Sequence, residues 1–242
     1  MTVFIEPDLA TLAKKGAAIF SRIASESVVV RGAFAVALSG GSTPRPMHRM
    51  LCEEPYLSEI PWARTNLFWV DERCVPVHHP ASNYGAATVD FLRSVPIPET
   101  QVHPMPVHLS PEQGAAAYQE EIVRWFWSHS QKFPVFDLIF LGIGTDGHTA
   151  SLFPGQNALS EKERLVVPVS GGNPHVDRLT MTFSLINTAR EVVFLVSGRE
   201  KGEILKSIIQ GPPDRFPAQM VRPLRGNLIW LMDREAASQL DA

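Results

Sequence analysis

Cysteine is scarce: Cys52 and Cys74 are the only two in 242 residues. A disulfide framework is therefore excluded, and a buried core has to supply the stability. No apolar run reaches the roughly 20 residues that a bilayer crossing needs. The opening MTVFIEPDLATLAKK carries Glu6 and Asp8 and lacks the apolar centre of a secretory signal. Charge of one sign is missing too, with 22 Lys and Arg against 25 Asp and Glu and a formal net charge of −3. The basic residues are scattered, which argues against nucleic acid or an anionic membrane as the partner. Internal repeats, linkers and low-complexity blocks are absent. A cytoplasmic protein with one domain over residues 1–242 is the expectation, with a monomer as the default.

What is present is ordinary globular material: 45% hydrophobic and 19% charged residues. Apolar stretches alternate with helical ones along the whole chain. That alternation predicts an α/β fold with a mostly parallel sheet and helices on both faces. Helical spacing runs from Asp8 to about Ala24, and Ala33 to Leu38 reads as a buried strand. A short helix follows at Met47 to Leu51. Leu67 to Val70 is the next strand and ends in Asp71-Glu72-Arg73. Ser82 is placed to cap a helix through Tyr84, Ala87 and Phe91. Ser110, Pro111 and Gln113 together mark a helix start, with a capping-box partner at the third position. Phe136 to Leu141, Val192 to Val196 and Asn227 to Met232 read as further strands. Leu179, Met181 and Phe183 alternate with threonines as in a half-exposed strand, and Arg199 to Ile209 as a helix closed by Gly211. The stretch from Pro154 to Pro174 is polar and rich in turns.

Two strand ends carry chemistry. The first is SGGSTP, Ser39 to Pro44. Gly40 and Gly41 let backbone amides approach an anion, Ser39, Ser42 and Thr43 add hydroxyl donors, and Pro44 suits the start of a helix. A tight strand-to-helix turn would need the same glycines. This is not a nucleoside-triphosphate loop, because the Gly-Lys-Ser/Thr ending is missing. The second is GIGTDGHTASLFPG, Gly142 to Gly155. Gly142, Gly144 and Gly147 satisfy GxGxxG and raise a dinucleotide alternative, but Pro154 stops any helix within about two turns. His148 can take a proton from water and return it to a leaving oxygen, with Asp146 fixing its tautomer.

Other charged residues carry weaker signals. Arg73 could contact an anion, while a salt-bridged strand end is the plainer reading for Glu72. Arg178 opens a strand. Lys201 sits in the first turn of a helix, where the dipole disfavours it unless an anion binds there. His78 and His79 lack the convergent HxxxH or CxxC partners of a zinc site, so no metal is expected. Cys74 is read as structural, Trp125 and Trp127 as core or a cover over it, and Ser151 lacks the GxSxG setting of a serine nucleophile.

Taken together, SGGSTP (39–44), WVDERCVPVHHPASNY (69–84), FDLIFLGIGTDGHTASLFPG (136–155), RLTMTF (178–183), VSGREKGEIL (196–205) and PAQMVRP (217–223) resemble the family that unites 6-phosphogluconolactonases with glucosamine-6-phosphate deaminases. The segments occur in the family's order and span most of the chain. The resemblance implies a Rossmann-like three-layer sandwich and a sugar-phosphate lactone as substrate, with no cofactor. It places the 6-phosphate against Ser39 to Thr43 with Arg178 and Lys201. His148 becomes the acid–base residue, with Asp146 supporting it and Arg73 close to the substrate. Deaminases carry an Asn-Glu-Pro stretch after the histidine; Leu152-Phe153-Pro154 stands here, which fits the lactonase branch. Asp71 matches the deaminases' proton-abstracting aspartate and has no evident task in a lactonase.

Overall fold

The computed structural model describes residues 1–241. In chain order the strands are β1 (Thr2–Glu6), β2 (Phe34–Leu38), β3 (Thr65–Trp69), β4 (Asp71–Arg73), β5 (Val102–His103), β6 (Leu138–Leu141), β7 (Val166–Gly171), β8 (Val176–Met181), β9 (Glu191–Val196) and β10 (Asn227–Asp233). The α-helices are α1 (Leu9–Arg31), α2 (Pro44–Met50), α3 (Tyr56–Glu59), α4 (Asn83–Ala87), α5 (Pro111–Ser128), α6 (Phe183–Ile186) and α7 (Gly202–Ile209).

Seven strands form one parallel sheet in the order β1-β10-β9-β6-β2-β3-β5. The other three, β4-β8-β7, pair antiparallel in a small second sheet. The central strands β2, β3 and β6 are buried at every residue, as a parallel sheet with covered faces requires. Helices packed around the large sheet give a Rossmann-like α/β fold. From β2 the chain moves outward to β3, whereas β6 leads the other way to β9 and β10. The order therefore reverses between β2 and β6, and their carboxyl ends form the crevice where such sheets bind ligands.

Local signals explain the element ends. Asp8 caps α1 by accepting the Thr11 amide at 2.8 Å, and Gly32 closes it with φ +77° in the left-handed region. Ser110 Oγ accepts the Gln113 amide at 3.4 Å, and Gln113 Oε1 accepts the Ser110 hydroxyl at 3.0 Å.

Several expectations need correction. Helix α1 continues to Arg31, well past Ala24; the buried apolar spacing does not mark its last turns, where Val29 and Val30 stand exposed at 86% and 72%. Strand β8 is not half-exposed: Leu179, Thr180 and Met181 are all buried, and Phe183 already belongs to α6. The threonines tolerate burial because Thr180 Oγ1 donates to Met181 O at 3.1 Å and Thr182 Oγ1 to Arg164 O at 2.8 Å. Asp71-Glu72-Arg73 is a strand of the second sheet rather than the end of β3. Trp127 is 65% exposed and covers nothing, while Trp125 donates its indole N–H to Asn66 Oδ1 at 3.0 Å. The polar 154–174 stretch contains β7. Strands β1 and β5 were not foreseen.

Candidate active site

The two glycine-rich loops emerge side by side from β2 and β6 and wall a cavity of about 310 Å³. Ser39, Gly40, Gly41, Arg73, His148, Arg178 and Lys201 all line it. Ser42 and Thr43 line an adjoining recess of about 180 Å³ that shares Gly40, Gly41 and Lys201. Asp146 stands behind the histidine. The sequence-read residues thus surround one space of sugar-phosphate size.

The Asp146–His148 pair is tightly built. His148 Nδ1 lies 2.6 Å from Asp146 Oδ1, and the His148 amide donates to the same oxygen at 3.1 Å. A carboxylate only accepts, so the ring proton sits on Nδ1 and Nε2 keeps its lone pair in the neutral form. Partial burial works against ionisation of Asp146. The His148 amide and imidazole outweigh it, holding the carboxyl below the usual range. Gly144 admits the ring: a Cβ there would stand 2.1 Å from His148 Nδ1. Its amide donates to His148 O at 2.8 Å, closing the turn.

Cations outnumber carboxylates around the cavity, where Arg73, Arg178 and Lys201 face Asp71. Among the described residues, none of Arg73, Arg178 and Lys201 pairs with a carboxylate. Arg73 and Arg178 face each other across the β4–β8 pair. Arg178 is buried and donates to Gly171 O and Pro174 O at 2.9 and 3.0 Å. Burial and the neighbouring Arg73 lower its pKa. Arg73 donates to Ala81 O at 2.6 Å, and its buried Nε has no partner. Lys201 Nζ rests on Ile143 O at 2.9 Å. Ser39 Oγ is buried and unpartnered as well. The amides of Gly40, Gly41, Ser42 and Thr43 find no acceptor among the described residues. Cations, an idle hydroxyl and free amides around one space make an anion site.

The dinucleotide alternative finds no support in the fold. No helix follows β6, where such a motif would place one, and the next helical turn is the 3₁₀ segment Asn157–Ser160.

Comparison with known proteins points the same way. The model of the glucosamine-6-phosphate isomerases/6-phosphogluconolactonase family matches residues 7–230. A 6-phosphogluconolactonase of Synechocystis sp. is 44% identical over 220 residues, covering 89% of this chain and 88% of that protein. The chain belongs to this family. A chloroplastic 6-phosphogluconolactonase 3 of Arabidopsis thaliana is 41% identical across 87% of this chain and 66% of its own length. The solved 6-phosphogluconolactonase from Trypanosoma cruzi superposes with a TM-score of 0.86 at 30% identity, covering 100% of this chain and 97% of that one.

Within this family site, Asn83 was not foreseen, and Ser151 and Glu72 have unexpected partners. Asn83 lies against Gly40, where a Cβ would stand 1.8 Å from Asn83 Oδ1, and donates to Asp71 O at 2.8 Å. Its position just behind the Ser82 cap was the available signal. Ser151 Oγ donates to Asp71 Oδ2 at 2.6 Å, so the buried Asp71 is occupied by hydroxyl and amide donors. Glu72 is not salt-bridged. It accepts the amides of Arg73, Asn83 and Tyr84 at 2.7, 2.8 and 2.7 Å and pins the 71–84 loop. Burial raises its pKa and those amides oppose the rise. Cys74 is inert as a nucleophile: burial, then the nearby Asp177 and Glu72, push its thiol up to about 11. No His, Cys, Asp and Glu group suited to a metal occurs among the described residues, and no helix there is long and apolar enough to cross a membrane.

Proposed function

We propose that the chain hydrolyses 6-phospho-D-glucono-1,5-lactone to 6-phospho-D-gluconate, a step of the pentose phosphate pathway. The observation that carries this reading is the shared cavity. An oriented imidazole stands on one side, and three cations without carboxylate partners surround a free-amide loop. The relatives named above supply the substrate class.

In this reading the 6-phosphate sits against residues 39–43 and Lys201, with Arg178 completing its charge. Binding there orients the lactone carbon before any bond changes. Nε2 of neutral His148 takes a proton from water as the hydroxide adds to C1. The tetrahedral oxyanion is held by the amides of Ile143 and Thr145, which line the cavity and find no acceptor among the described residues. Asp146 stabilises the imidazolium, which then protonates the departing ring oxygen as the C1–O bond breaks. The acid formed loses its proton to solvent. General acid–base help of this kind contributes roughly 10²–10⁴-fold, sufficient for an already activated ester. The scheme uses no metal.

Asp71 favours a second reading, amino-sugar phosphate deamination, because its carboxylate lines the same cavity. Its hydrogen bonds to Ser151 and Asn83 and the Leu152-Phe153-Pro154 sequence weigh against a free base there. One assay separates the two. Freshly generated lactone coupled to 6-phosphogluconate dehydrogenase should open well above its spontaneous rate, with no ammonia released from glucosamine 6-phosphate. The reverse result would transfer the chain to the deaminase branch.

A further inference from the structure

The PAQMV segment has no part in the mechanism above, yet it presses on the histidine turn from outside the cavity. The Ala218 amide donates to Gly147 O at 3.0 Å. The ring of Phe216 lies on Gly147 so closely that a Cβ there would stand 2.6 Å from Phe216 Cδ1. Gly147 adopts φ +81°, a left-handed conformation, and is the single residue between Asp146 and His148. Its amide donates to Gly144 O at 3.1 Å. The most permissive residue type therefore sits at the hinge of the acid–base pair, and its freedom is removed by neighbours rather than by its own side chain.

Phe216 is itself clamped. Gln219 Oε1 accepts the amides of Arg215 and Phe216 at 2.8 and 3.0 Å. Its Nε2 donates to Ile208 O and Pro212 O at 3.0 and 2.9 Å. The primary amide thus uses both hydrogens and two acceptor sites to fix one short loop.

We propose that Phe216, held by Gln219, is a positioning residue for catalysis: it locks Gly147 so that Asp146 and His148 stay paired. The inference rests on the reading of His148 as the acid–base group. Truncating the ring opens space beside Gly147 and lets the turn relax. A displacement of about 1 Å at a reacting group is enough to cost about 100-fold in rate.

The test is Phe216→Ala beside Phe216→Leu, which keeps an apolar filler. Phe216→Ala should lower kcat about 10- to 100-fold while KM and the affinity for 6-phosphogluconate stay within about twofold. Phe216→Leu should recover most of the loss. Ring ¹⁵N shifts, assigned with His148→Gln, should show the Nδ1–H tautomer at His148 in the wild type and Phe216→Leu. Phe216→Ala should show a mixture of tautomers. A raised KM with unchanged kcat, or an unaltered tautomer in Phe216→Ala, overturns the positioning role and leaves the lactonase reading intact. Full turnover in His148→Ala would remove both.

Discussion

The same three strands end very differently at their two ends. At the amino ends of β2, β6 and β9 stand Arg31, Asp137 and Arg190, and their charges are answered. Asp137 is 2.8 Å from Arg31 Nε and 3.3 Å from Arg190 Nε, and it accepts the Ala35 amide at 2.9 Å. Burial pushes the Asp137 carboxyl up against the pull of these donors, so it is a cross-brace held by its partners. Around the carboxyl ends, Lys201 beyond β9 and Arg178 of the neighbouring β8 rest on carbonyl oxygens, and Ser39 after β2 on nothing. At one end the charges are paired, although Asp137 Oδ1 lacks a hydrogen bond of good geometry. At the other, three cations have no carboxylate partner among the described residues, as a site for an anionic ligand requires. Unanswered positive charge, more than the residue types themselves, distinguishes the two ends.

Substitutions should separate the two ends. The largest effect is expected for His148→Ala, which should cut turnover by roughly 10²–10⁴-fold while 6-phosphogluconate still binds by calorimetry. Next, Lys201→Ala removes one charged contact to the phosphate and should raise KM about 10- to 100-fold with a smaller change in kcat. Asp137→Ala should do the opposite, costing about 2–3 kcal/mol in urea unfolding by stranding Arg31, Arg190 and the Ala35 amide, with KM unchanged. A raised KM in Asp137→Ala would break the division of labour.

A smaller, pH-dependent effect belongs to α2, the helix that follows the 39–43 loop. His48 on α2 is buried against Phe91 with its Nε2 unpartnered. Burial, only partly offset by Asp90, lowers its pKa from 6.5 to about 4. The unfolded chain therefore binds a proton that the folded chain refuses. Stability is full above pH 6.5 and falls as the pH drops towards 4. The loss by pH 4.5 is about 2–3 kcal/mol. His48→Leu should flatten that part of the stability profile in urea titrations, and an unchanged profile would show that the imidazole is not its source.

Much of this was legible in the sequence where the signal was local. Buried apolar runs announced β2, β6, β9 and β10, and Ser110-Pro111 with Gln113 announced α5. The strand-end glycines marked both loops because close backbone approach needs them. Signals that depend on distant neighbours were lost. Strand β1 alternates weakly at a sheet edge with Val3 and Ile5 exposed, and only its pairing to β10 makes it a strand. Thr180 of β8 and Thr182 just beyond it suggested solvent, yet backbone carbonyls satisfy them inside. Glu72 pointed to a salt bridge, but a turn eleven residues later supplies its donors. For the same reason Asn83 and Ser151 stayed hidden: their partners are brought in by the fold.

His148 and the 39–43 loop should serve the two ends of one sugar phosphate. A crystal structure with 6-phosphogluconate bound tests it most directly. The phosphate should lie on the amides of residues 40–43 and Lys201, with the C1 carboxylate beside His148 Nε2. A well-ordered ligand whose C1 lies away from that imidazole, or whose phosphate avoids the loop, would contradict it.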